Sequence, residues 1–282
     1  MYDVIVIGGG PAGLQAALTL GRMHREVLLL DSGEYRNAAV EHAHNYVTHD
    51  GIAPADFRRL ARADLAAYPT VEVRELRADR IERVGDEVVV RLAGGVTERS
   101  AALVLATGVR DALPDIPGVP EAWGREIAHC PFCHGHEFAG GTVALAVEGA
   151  HAERLTAMLG RIATDLVDVH GRVRSVARVA GGLDLTLDDG GTLHVDGMFI
   201  APTFSQSAPF AEQLGLELNE SGCIRVNAFQ GTSVPGVFAA GDAAHVPELP
   251  MPMSAIVTSQ AAGMVAGASA VQHLLAREAT PV

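Results

Sequence analysis

The sequence has little of what builds a disulfide-stapled or a nucleic-acid-binding protein. It contains 3 cysteines among 282 residues, and two of them, Cys130 and Cys133, form a C-x-x-C motif, so no framework of structural disulfides is expected. Aromatic residues make up only 5% of the chain. Positive charge is also scarce, because 21 Lys and Arg face 34 Asp and Glu, which gives a formal net charge of −13. This balance argues against a surface for nucleic acid or anionic membranes.

Long uninterrupted apolar segments are missing as well. The first apolar run, at residues 2–7, contains an acid near its start and ends at Gly8, which does not match a secretory signal. The weakly charged stretch 254–276 carries Ser, Thr, Gln and His side chains, so no membrane span is expected there. Together with the low cysteine content, these absences predict a cytoplasmic protein without membrane attachment.

The residues that are present predict an α/β protein. With 282 residues and 48% hydrophobic content, the chain can bury a sizeable core in one large or two modest domains. Apolar runs that end at glycine or an acid predict buried strands, and apolar residues at helical spacing predict helices. The predicted strands are 2–7, 26–30, 103–108, 143–147, 166–169 and 198–202. The predicted helices run from the glycine turn to about Arg22 and over 54–68, 152–162 and 254–277.

The segment 130–134, with the sequence C-P-F-C-H, combines two thiols and an imidazole. Two cysteines separated by two residues can close a disulfide or bind a metal. A zinc site is the competing interpretation, with four possible ligands: Cys130, Cys133, His134 and His136. Adjacent residues rarely converge on one ion, and structural zinc sites usually combine ligand pairs from distant segments. The spacing therefore favours a redox pair, and no metal is predicted.

Residues 8–13, G-G-G-P-A-G, follow a predicted strand and open a predicted helix, as the G-x-G-x-x-G dinucleotide-binding pattern requires. Its glycines permit a tight turn, close approach of the backbone to a pyrophosphate and close helix–strand packing, while the helix N-terminus faces the phosphates. Asp31 ends the second strand, where a carboxylate can bind ribose hydroxyls. The predicted cofactor-binding residues of this region are Gly8, Gly10, Pro11, Ala12, Gly13 and Asp31.

A second motif, T-S-V-P-G-V-F-A-A-G-D at 232–242, resembles the T-x-x-P-x-V-F-A-x-G-D segment of flavoproteins with two dinucleotide domains. The turn A-T-G at 106–108 resembles a turn of the same proteins. With the C-x-x-C motif, these segments make the whole chain resemble the thioredoxin-reductase-like, FAD-dependent pyridine nucleotide-disulfide oxidoreductases. That resemblance implies two Rossmann-like, doubly wound, three-layer domains. The FAD-binding domain is expected at 1–112 plus 204–282, and a shortened NADPH-like domain, inserted at 113–203, carries the C-x-x-C.

The resemblance also implies residue roles and FAD as the cofactor. Cys133 is expected to exchange electrons with the flavin, and Cys130 to exchange with the substrate. Pro131 suits the first turn of a helix, whose N-terminus would favour a thiolate. The further cofactor-binding residues expected from the family are Arg36, Asn37, Asn45, Ala78, Thr107, Gly108, Gly241, Asp242, Ser254 and Ala255.

His134 separates this chain from most thioredoxin reductases, which have an Asp directly after the second Cys. An imidazole is better matched to moving thiol protons near neutral pH. The form C-P-F-C-H-G is most similar to the dithiol oxidases of the gliotoxin and holomycin type, which close a disulfide in a small molecule and pass electrons to oxygen. A small-molecule dithiol or disulfide is the expected substrate, a thioredoxin-like protein is an alternative partner, and a homodimer is expected from the family.

The inserted domain departs from the reductases at its own nucleotide turn. Val147 replaces the first glycine of the pattern, and Glu148 adds negative charge where a pyrophosphate would lie. Gly171 stands where the reductases carry an arginine for the 2′-phosphate of NADPH, although Arg172 and Arg174 follow. Weak NADPH binding is expected. Three hypotheses stay open: a dithiol oxidase, a disulfide reductase fed by NADPH or a protein donor, and a non-catalytic flavin-binding redox sensor.

Overall fold

The computed structural model of the chain describes residues 1–279. Its strands are β1 (Tyr2–Ile7), β2 (Val27–Leu30), β3 (Val71–Arg74), β4 (Ala78–Val84), β5 (Glu87–Leu92), β6 (Thr97–Leu105), β7 (Val109–Ala112), β8 (Ile127–Ala128), β9 (Thr142–Ala146), β10 (Asp165–Asp168), β11 (Val173–Val179), β12 (Gly182–Leu187), β13 (Thr192–Val195), β14 (Gly197–Ile200), β15 (Thr203–Gln206), β16 (Ile224–Arg225), β17 (Val237–Ala239) and β18 (Ala244–His245). Its α-helices are α1 (Pro11–Arg22), α2 (Pro54–Leu65), α3 (Val119–Ala122), α4 (Pro131–His134), α5 (Gly149–Leu159), α6 (Phe210–Gln213) and α7 (Ile256–Glu278). Short 3₁₀ helices cover Arg36–Ala39, His136–Phe138 and Gly241–Ala243.

The described residues divide into two compact units, each assembled from separate stretches of chain. The first contains residues 1–36, 55–110 and 205 onward, and the second contains 37–54 and 111–204. The sequence analysis put residues 37–54 in the first domain, whereas the structure groups them with the second unit. Contacts of this segment explain the grouping: Glu41 pairs with Arg125 at 2.5 Å, and a Cβ on Gly124 would lie 3.1 Å from Ala39.

A parallel sheet forms the centre of the first unit. Its strand order is β3-β2-β1-β6, with β17 also paired to β6, and all of these pairings are parallel. The hairpin β4–β5 continues the sheet in antiparallel pairing from the first half of β6. The runs 4–7 and 27–30 are buried on both faces, as is typical of strands in parallel sheets.

The two faces of this sheet pack against different layers. Ile5, Leu28 and Leu103 share a hydrophobic cluster with the β4–β5 hairpin and the segment after α6. Helices α1 and α7 cover the other face and pack closely on each other. A Cβ on Gly263 of α7 would overlap with the carbonyl of Ala12 in α1, so glycine at 263 is what lets the two helix backbones touch.

The second unit is a reduced version of the same plan. Its parallel sheet has the order β10-β9-β14-β8. Helix α5 covers one face through Leu155 and Leu159, and the antiparallel meander β11-β12-β13 covers the other through Leu183 and Leu185. The meander connects β10 to β14, where a full Rossmann fold would continue with strand and helix. The predicted shortening of the second Rossmann-like domain is therefore seen in the connection after β10.

The predicted α/β class is confirmed, and most elements begin or end within a few residues of their predicted bounds. The first helix ends at Arg22 as expected, but the helix predicted at 54–68 ends at Leu65, where the chain turns into β3. The helix predicted at 152–162 begins earlier, at Gly149, and ends at Leu159. Within residues 1–279, no helix is both long enough and apolar enough to cross a membrane.

Candidate active site

Cys130 and Cys133 form a disulfide in the second unit, with their Cα atoms 5.3 Å apart. Cys130 is the N-cap of α4 and has an extended backbone, while Pro131 occupies the first helical position. The backbone N–H groups of Cys133 and His134 both donate to the carbonyl oxygen of Cys130, at 3.1 and 3.2 Å. Because α4 is a single turn, it offers a thiolate little support from a helix dipole, but it holds the two sulfurs in bonding range.

The imidazole of His134 is half-buried directly beside the disulfide. Burial lowers the pKa of His134, whereas the negative charge of Glu137 and a hydrogen bond to the Gly124 backbone oppose that shift. A hydrogen bond to a carbonyl requires a ring N–H, so the other ring nitrogen of neutral His134 carries the free lone pair. A lowered pKa keeps this ring neutral near pH 7, which is the form that can accept a thiol proton.

The surroundings of the disulfide do not resemble a metal centre. In the part of the chain that the structure describes, no group of three or more His, Cys, Asp and Glu is placed to hold a metal ion. His136 is exposed, and the His129 ring stacks on Trp123 with 5.5 Å between ring centroids. Phe132, between the two cysteines, exposes 70% of its surface. The motif thus presents an apolar ring to solvent.

The turn between β1 and α1 in the first unit contains two glycines, Gly8 and Gly13, that no other residue could replace without movement. Gly8 has φ +118°, and a Cβ there would overlap with the carbonyl of Ala106. A Cβ on Gly13 would overlap with the carbonyl of Gly8, whereas a Cβ on Gly10 would meet nothing within 4 Å. Helix α1 starts with no side-chain cap. The N-cap residue therefore leaves the first N–H groups without a side-chain acceptor, as an anion site at a helix N-terminus requires.

Asp31 lies against this turn, where the sequence analysis expected it. Its side chain is 2% exposed, and a Cβ on Gly9 would overlap with its carboxylate. The carboxylate accepts hydrogen bonds from the Gly33 N–H at 3.0 Å, from the Tyr35 hydroxyl at 2.6 Å and from Arg62 at 2.5 Å. Asp31 is thus held at the end of β2 by three donors.

Arg36, Asp242 and Ser254 converge in the first unit. The Nη1 atom of Arg36 donates to Oδ2 of Asp242 at 2.7 Å and to Oγ of Ser254 at 2.9 Å. Gly241 has φ +74°, and a Cβ there would lie 2.9 Å from the Cβ of Ala12. The Gly241–Asp242 turn therefore lies against the start of α1.

Other predicted cofactor residues have different surroundings. Thr107 and Gly108 follow β6, directly after the Ala106 carbonyl that adjoins Gly8, and Ala255 is the uncapped start of α7. Ala78 opens β4 and is buried in the hydrophobic cluster of the sheet. Asn37 and Asn45 belong to the segment that groups with the second unit. The roles predicted for these residues remain predictions.

The structure adds residues that sequence reasoning missed. Tyr35 hydrogen-bonds to Asp31, burial raises its pKa to about 12, and Arg58 lies over its ring at 3.7 Å. Arg58 and Arg62 are four residues apart in α2, a spacing that puts them on one helix face. The spacing of these two arginines could have been noticed in the sequence. Nothing in the sequence, however, indicates that this face of α2 points to Asp31.

Cys223, the free cysteine of the described residues, is fully buried in the first unit. Its thiol lies 3.5 Å from the carbonyl oxygen of Asp242, and burial raises its pKa. A thiol with a raised pKa is a poor nucleophile. Its burial therefore argues against a redox role for Cys223.

The corresponding turn of the second unit keeps a glycine at 149 but differs in other features that bind phosphate. Val147 is 3% exposed and packs in the core under α5. The side chain of Glu148, the N-cap of α5, is 79% exposed and lies 3.7 Å from His170. Arg172 lies 3.4 Å from Asp189 and 3.7 Å from Asp188. The guanidinium of Arg172 therefore already faces two carboxylates.

Comparison with known proteins agrees with this arrangement of sites. The sequence profile described as pyridine nucleotide-disulphide oxidoreductase matches residues 2–150 and 149–263. The chain belongs to this family. It is 31% identical to thioredoxin reductase sirT of Leptosphaeria maculans, over 95% of this chain and 92% of that protein. It is 34% identical to thioredoxin reductase tcpT of Claviceps purpurea, over 86% of each.

Solved structures of this family share the fold. A crystal structure of the protein HlmI superposes with a TM-score of 0.86 at 31% identity and covers 98% of this chain and 93% of that one. An oxidoreductase from Agrobacterium tumefaciens superposes with a TM-score of 0.84 at 32% identity, covering 97% and 98%. The pyridine nucleotide-disulphide oxidoreductase fold thus extends over the whole described chain.

Family membership establishes the general chemistry. The chain is an oxidoreductase that acts on sulfur groups, as its relatives named thioredoxin reductase indicate. This excludes the hypothesis of a non-catalytic redox sensor. Proteins of this family are generally flavoproteins, with FAD as the typical cofactor, and their substrates are disulfides or dithiols.

Proposed function

We propose that this chain is an FAD-dependent dithiol oxidase that closes a disulfide in a small-molecule dithiol and uses oxygen as the electron acceptor. The proposal depends on three sites: the Cys130–Cys133 disulfide with His134, the dinucleotide turn at residues 8–13, and the altered turn at 147–152. The first supplies thiol exchange and the second a flavin site. The altered turn at 147–152 removes the usual source of electrons, which is NADPH.

The residues of the first unit fit FAD. Gly8 and Gly13 let the turn close, and the space beside Gly10 gives a pyrophosphate access to the uncapped N-terminus of α1. Asp31 is the residue for the ribose hydroxyls, and Arg36 with Asp242 is the charged pair for the polar chain of the flavin. When bound, FAD supplies two-electron transfer between the thiols and oxygen.

The thiol chemistry follows from the disulfide and its base. His134 accepts the proton of one substrate thiol, and the resulting thiolate attacks the sulfur of Cys130, which breaks the Cys130–Cys133 bond. The second substrate thiol, once deprotonated, attacks the mixed disulfide and releases the product disulfide. Cys130 and Cys133 are left as a reduced pair, with two electrons to pass on. Overall, a dithiol and oxygen give a disulfide and hydrogen peroxide.

The observation that carries the oxidase proposal is the turn at 147–152. Val147 fills the core where a phosphate turn needs glycine, and Glu148 puts a carboxylate at the start of α5. A carboxylate there opposes a polyanion, and Arg172 is engaged by Asp188 and Asp189. Each of these changes weakens the binding of NADPH.

The deciding experiment compares two electron donors without oxygen. The purified protein, loaded with FAD, is mixed anaerobically with stoichiometric dithiothreitol or with NADPH, and loss of the visible flavin absorbance is followed. We expect rapid reduction by the dithiol and negligible reduction by NADPH. Admission of air should then restore the absorbance with formation of peroxide. Rapid reduction by stoichiometric NADPH would refute the oxidase assignment.

A disulfide reductase is the second candidate, and one observation favours it. Helix α5 starts without a side-chain cap and begins at Gly149, which has φ +57°, so part of a nucleotide turn is retained. In this case electrons would run from NADPH, or from a protein donor, to a disulfide or a thioredoxin-like protein. Oxidation of NADPH that depends on a disulfide acceptor distinguishes this direction from the oxidase.

The substrate class follows from what surrounds the disulfide. Phe132 offers an exposed apolar ring between the two cysteines, which suits a compact dithiol with an apolar body. A small dithiol is therefore our primary substrate proposal. A homodimer is carried over from the family resemblance and a cytoplasmic location from the low cysteine content, and sedimentation of the purified protein tests the first.

A further inference from the structure

In the first unit, the backbone at Asp242 is attached by side chains to a turn at residues 219–223. The Sγ–H group of Cys223 donates to the carbonyl oxygen of Asp242 at 3.5 Å. Nε2 of Gln206 donates to the carbonyl oxygen of the next residue, Ala243, at 2.9 Å. Strand β16, which follows the turn, pairs in parallel with β18, which follows Ala243. The segment that carries Asp242 is therefore held by side chains as well as by strand pairing.

His245, in β18, makes a second attachment to the same turn. Its side chain is buried, with 6% exposure, and Nε2 of the ring lies 2.6 Å from Oγ of Ser221. The same Oγ atom accepts a hydrogen bond from the N–H of Cys223 at 3.2 Å. Ser221 therefore connects the ring of His245 to the residue whose thiol holds the carbonyl of Asp242.

The hydrogen-bond partners decide which nitrogen of neutral His245 carries the proton. Nδ1 lies 2.9 Å from the carbonyl oxygen of Val246, which can only accept, so Nδ1 is the donor. Nε2 then has a free lone pair and accepts from the hydroxyl of Ser221. The Asn219 amide lies 3.3 Å from Nδ1 but donates to the carbonyl oxygen of His245 at the shorter distance of 2.8 Å. Donors and acceptors of the ring and the hydroxyl thus match without a charge.

The position of the Asp242 carboxylate depends on this backbone attachment. Arg36 contacts that carboxylate at 2.7 Å, and the Asp242 side chain is 19% exposed. The arginine orients the end of the side chain, whereas the bonds to the carbonyls of residues 242–245 fix the backbone from which it extends. Hydrogen bonds behind a binding group hold it in one geometry, because a buried group that loses its partner is costly.

We propose that His245 is a positioning residue of the flavin site. Through Ser221 and Cys223 it holds the Asp242 backbone where the carboxylate meets the polar chain of FAD. No proton or electron is transferred by this network. The inference rests on the proposed function, because that function gives Asp242 its place beside the cofactor.

Two substitutions of His245 distinguish its two nitrogens. His245→Gln keeps an acceptor oxygen at the reach of Nε2, so it can still receive the Ser221 hydroxyl. His245→Asn keeps only the amide donor near Nδ1 and loses the bond to Ser221. The loss of this bond should make the holoenzyme release FAD about tenfold faster in His245→Asn, and less than about threefold faster in His245→Gln. The rise of flavin fluorescence after dilution of the holoenzyme measures the rate of release.

Ser221→Ala removes the same hydrogen bond from the other side. It should also release FAD about tenfold faster. Because His245 and Ser221 act through one bond, the double variant His245→Asn/Ser221→Ala should release FAD no faster than the faster single variant. The visible circular dichroism of the bound flavin should change in the same way in all three, which a general loss of stability would not produce.

Two control variants address stability and the substitution itself. Val226, directly after β16, is 2% exposed in the hydrophobic cluster of the sheet. Val226→Ala should lower the unfolding temperature without removing any side chain of the network. His24→Asn makes the same substitution at an exposed residue of the first unit whose φ of +52° suits asparagine. Both controls should release FAD at the rate of the unaltered protein.

The outcomes separate the positioning role from the proposed function. Equal release by the Gln and Asn variants, additive effects in the double variant, or equally fast release by Val226→Ala overturns the role of His245. If neither His245 variant folds, Ser221→Ala decides: faster release supports the role, and an unchanged rate overturns it. Release is measured without turnover, so failure of the unaltered protein to oxidise dithiothreitol under air overturns the oxidase proposal alone. Failure of the unaltered protein to bind FAD overturns both.

Discussion

The two strand–turn–helix elements of this chain, at residues 8–13 and 147–152, start from the same plan and place their charges in opposite ways. In the first, the turn has no side chains, and the carboxylate comes from Asp31 at the end of the next strand. In the second, the carboxylate is Glu148 in the turn itself, and it lies 3.7 Å from His170, two residues beyond the end of the next strand. The first arrangement leaves the helix N-terminus open, whereas the second puts an anion there.

Packing differs in the same positions. Gly8 cannot carry a side chain without displacing Ala106, whereas Val147 fills the core beneath α5. Gly13 permits contact with the turn, and its counterpart Ala152 is partly buried in the cluster under α5. The comparison indicates that a nucleotide-binding turn depends on glycine at positions where a side chain would fill the space beside the backbone. Once those positions take part in the core, the element still folds, and we propose that its phosphate site is weakened.

The largest effect is expected from Gly13→Ala in the first turn. A Cβ at Gly13 would overlap with the carbonyl of Gly8, so α1 must move away from the turn, at a cost of about 3 kcal/mol or more. We expect purified Gly13→Ala to contain little or no flavin, as measured by absorbance per protein after denaturation. Gly149→Ala is the control in the second turn, because a Cβ there meets nothing within 4 Å. Its positive φ should cost about 1 kcal/mol without loss of flavin. Equal flavin content in both variants would contradict the comparison.

Arg36→Lys should have the next largest effect. One nitrogen of Arg36 bonds to both Asp242 and Ser254, and an ammonium cannot reproduce the planar guanidinium geometry. The loss of one charge-assisted hydrogen bond, about 1.5–3 kcal/mol, should weaken FAD binding about 10- to 100-fold, measured by titrating the apoprotein. Arg172→Lys in the second unit is the matched variant, and its FAD affinity should not change. A similar loss in both variants would indicate a general effect of the substitution.

The sequence indicated the first site better than the second. The glycine pattern and the G-D segment predicted the approach of Gly8, Gly13 and Gly241 because backbone geometry restricts those positions to glycine. Glu148 and Val147 depart from the phosphate-binding pattern in sequence, and the structure buries Val147 and exposes Glu148. The engagement of Arg172 by Asp188 and Asp189 was not predicted, because the hairpin that carries those carboxylates has no recognisable motif.

Long-range contacts account for most of what was missed. The grouping of residues 37–54 with the second unit depends on Glu41, Arg125 and the close approach at Gly124, and no local pattern encodes such pairs. The same holds for His44 beside Glu137, which are more than ninety residues apart in sequence. Local preferences predicted the strands and helices well, since these depend on periodicity. The partners of polar side chains depend on tertiary packing.

A smaller effect is expected from restoring the second turn electrostatically. Glu148→Gln removes the negative charge at the start of α5, and Asp189→Asn removes one carboxylate of the ion pairs made by Arg172. Together they should tighten NADPH binding about tenfold, equivalent to about 1.4 kcal/mol, as measured by calorimetric titration. Glu121→Gln, at an exposed acid in the same unit, is the control for net charge and should leave binding unchanged. An equal gain in the control would show that overall charge, and not the turn, limits binding.

The smallest effect concerns His151, which stands in the second turn where the first has Ala12. Burial lowers the pKa of His151, with a further contribution from Arg154. A lowered pKa in the folded state means that the unfolded chain binds the proton more readily, so stability is lost as pH falls through about 6.5, the ordinary value for histidine. A cation near the N-terminus of α5 is also unfavourable. His151→Asn should therefore lessen the loss of stability between neutral and mildly acidic pH, by well under about 1 kcal/mol after screening by solvent. Thermal unfolding at paired pH values measures this difference, and His136→Asn provides the baseline. If His151→Asn steepened the decline instead, the protonated ring would have to be favoured in the folded turn, and burial would not be the dominant influence on the pKa of His151.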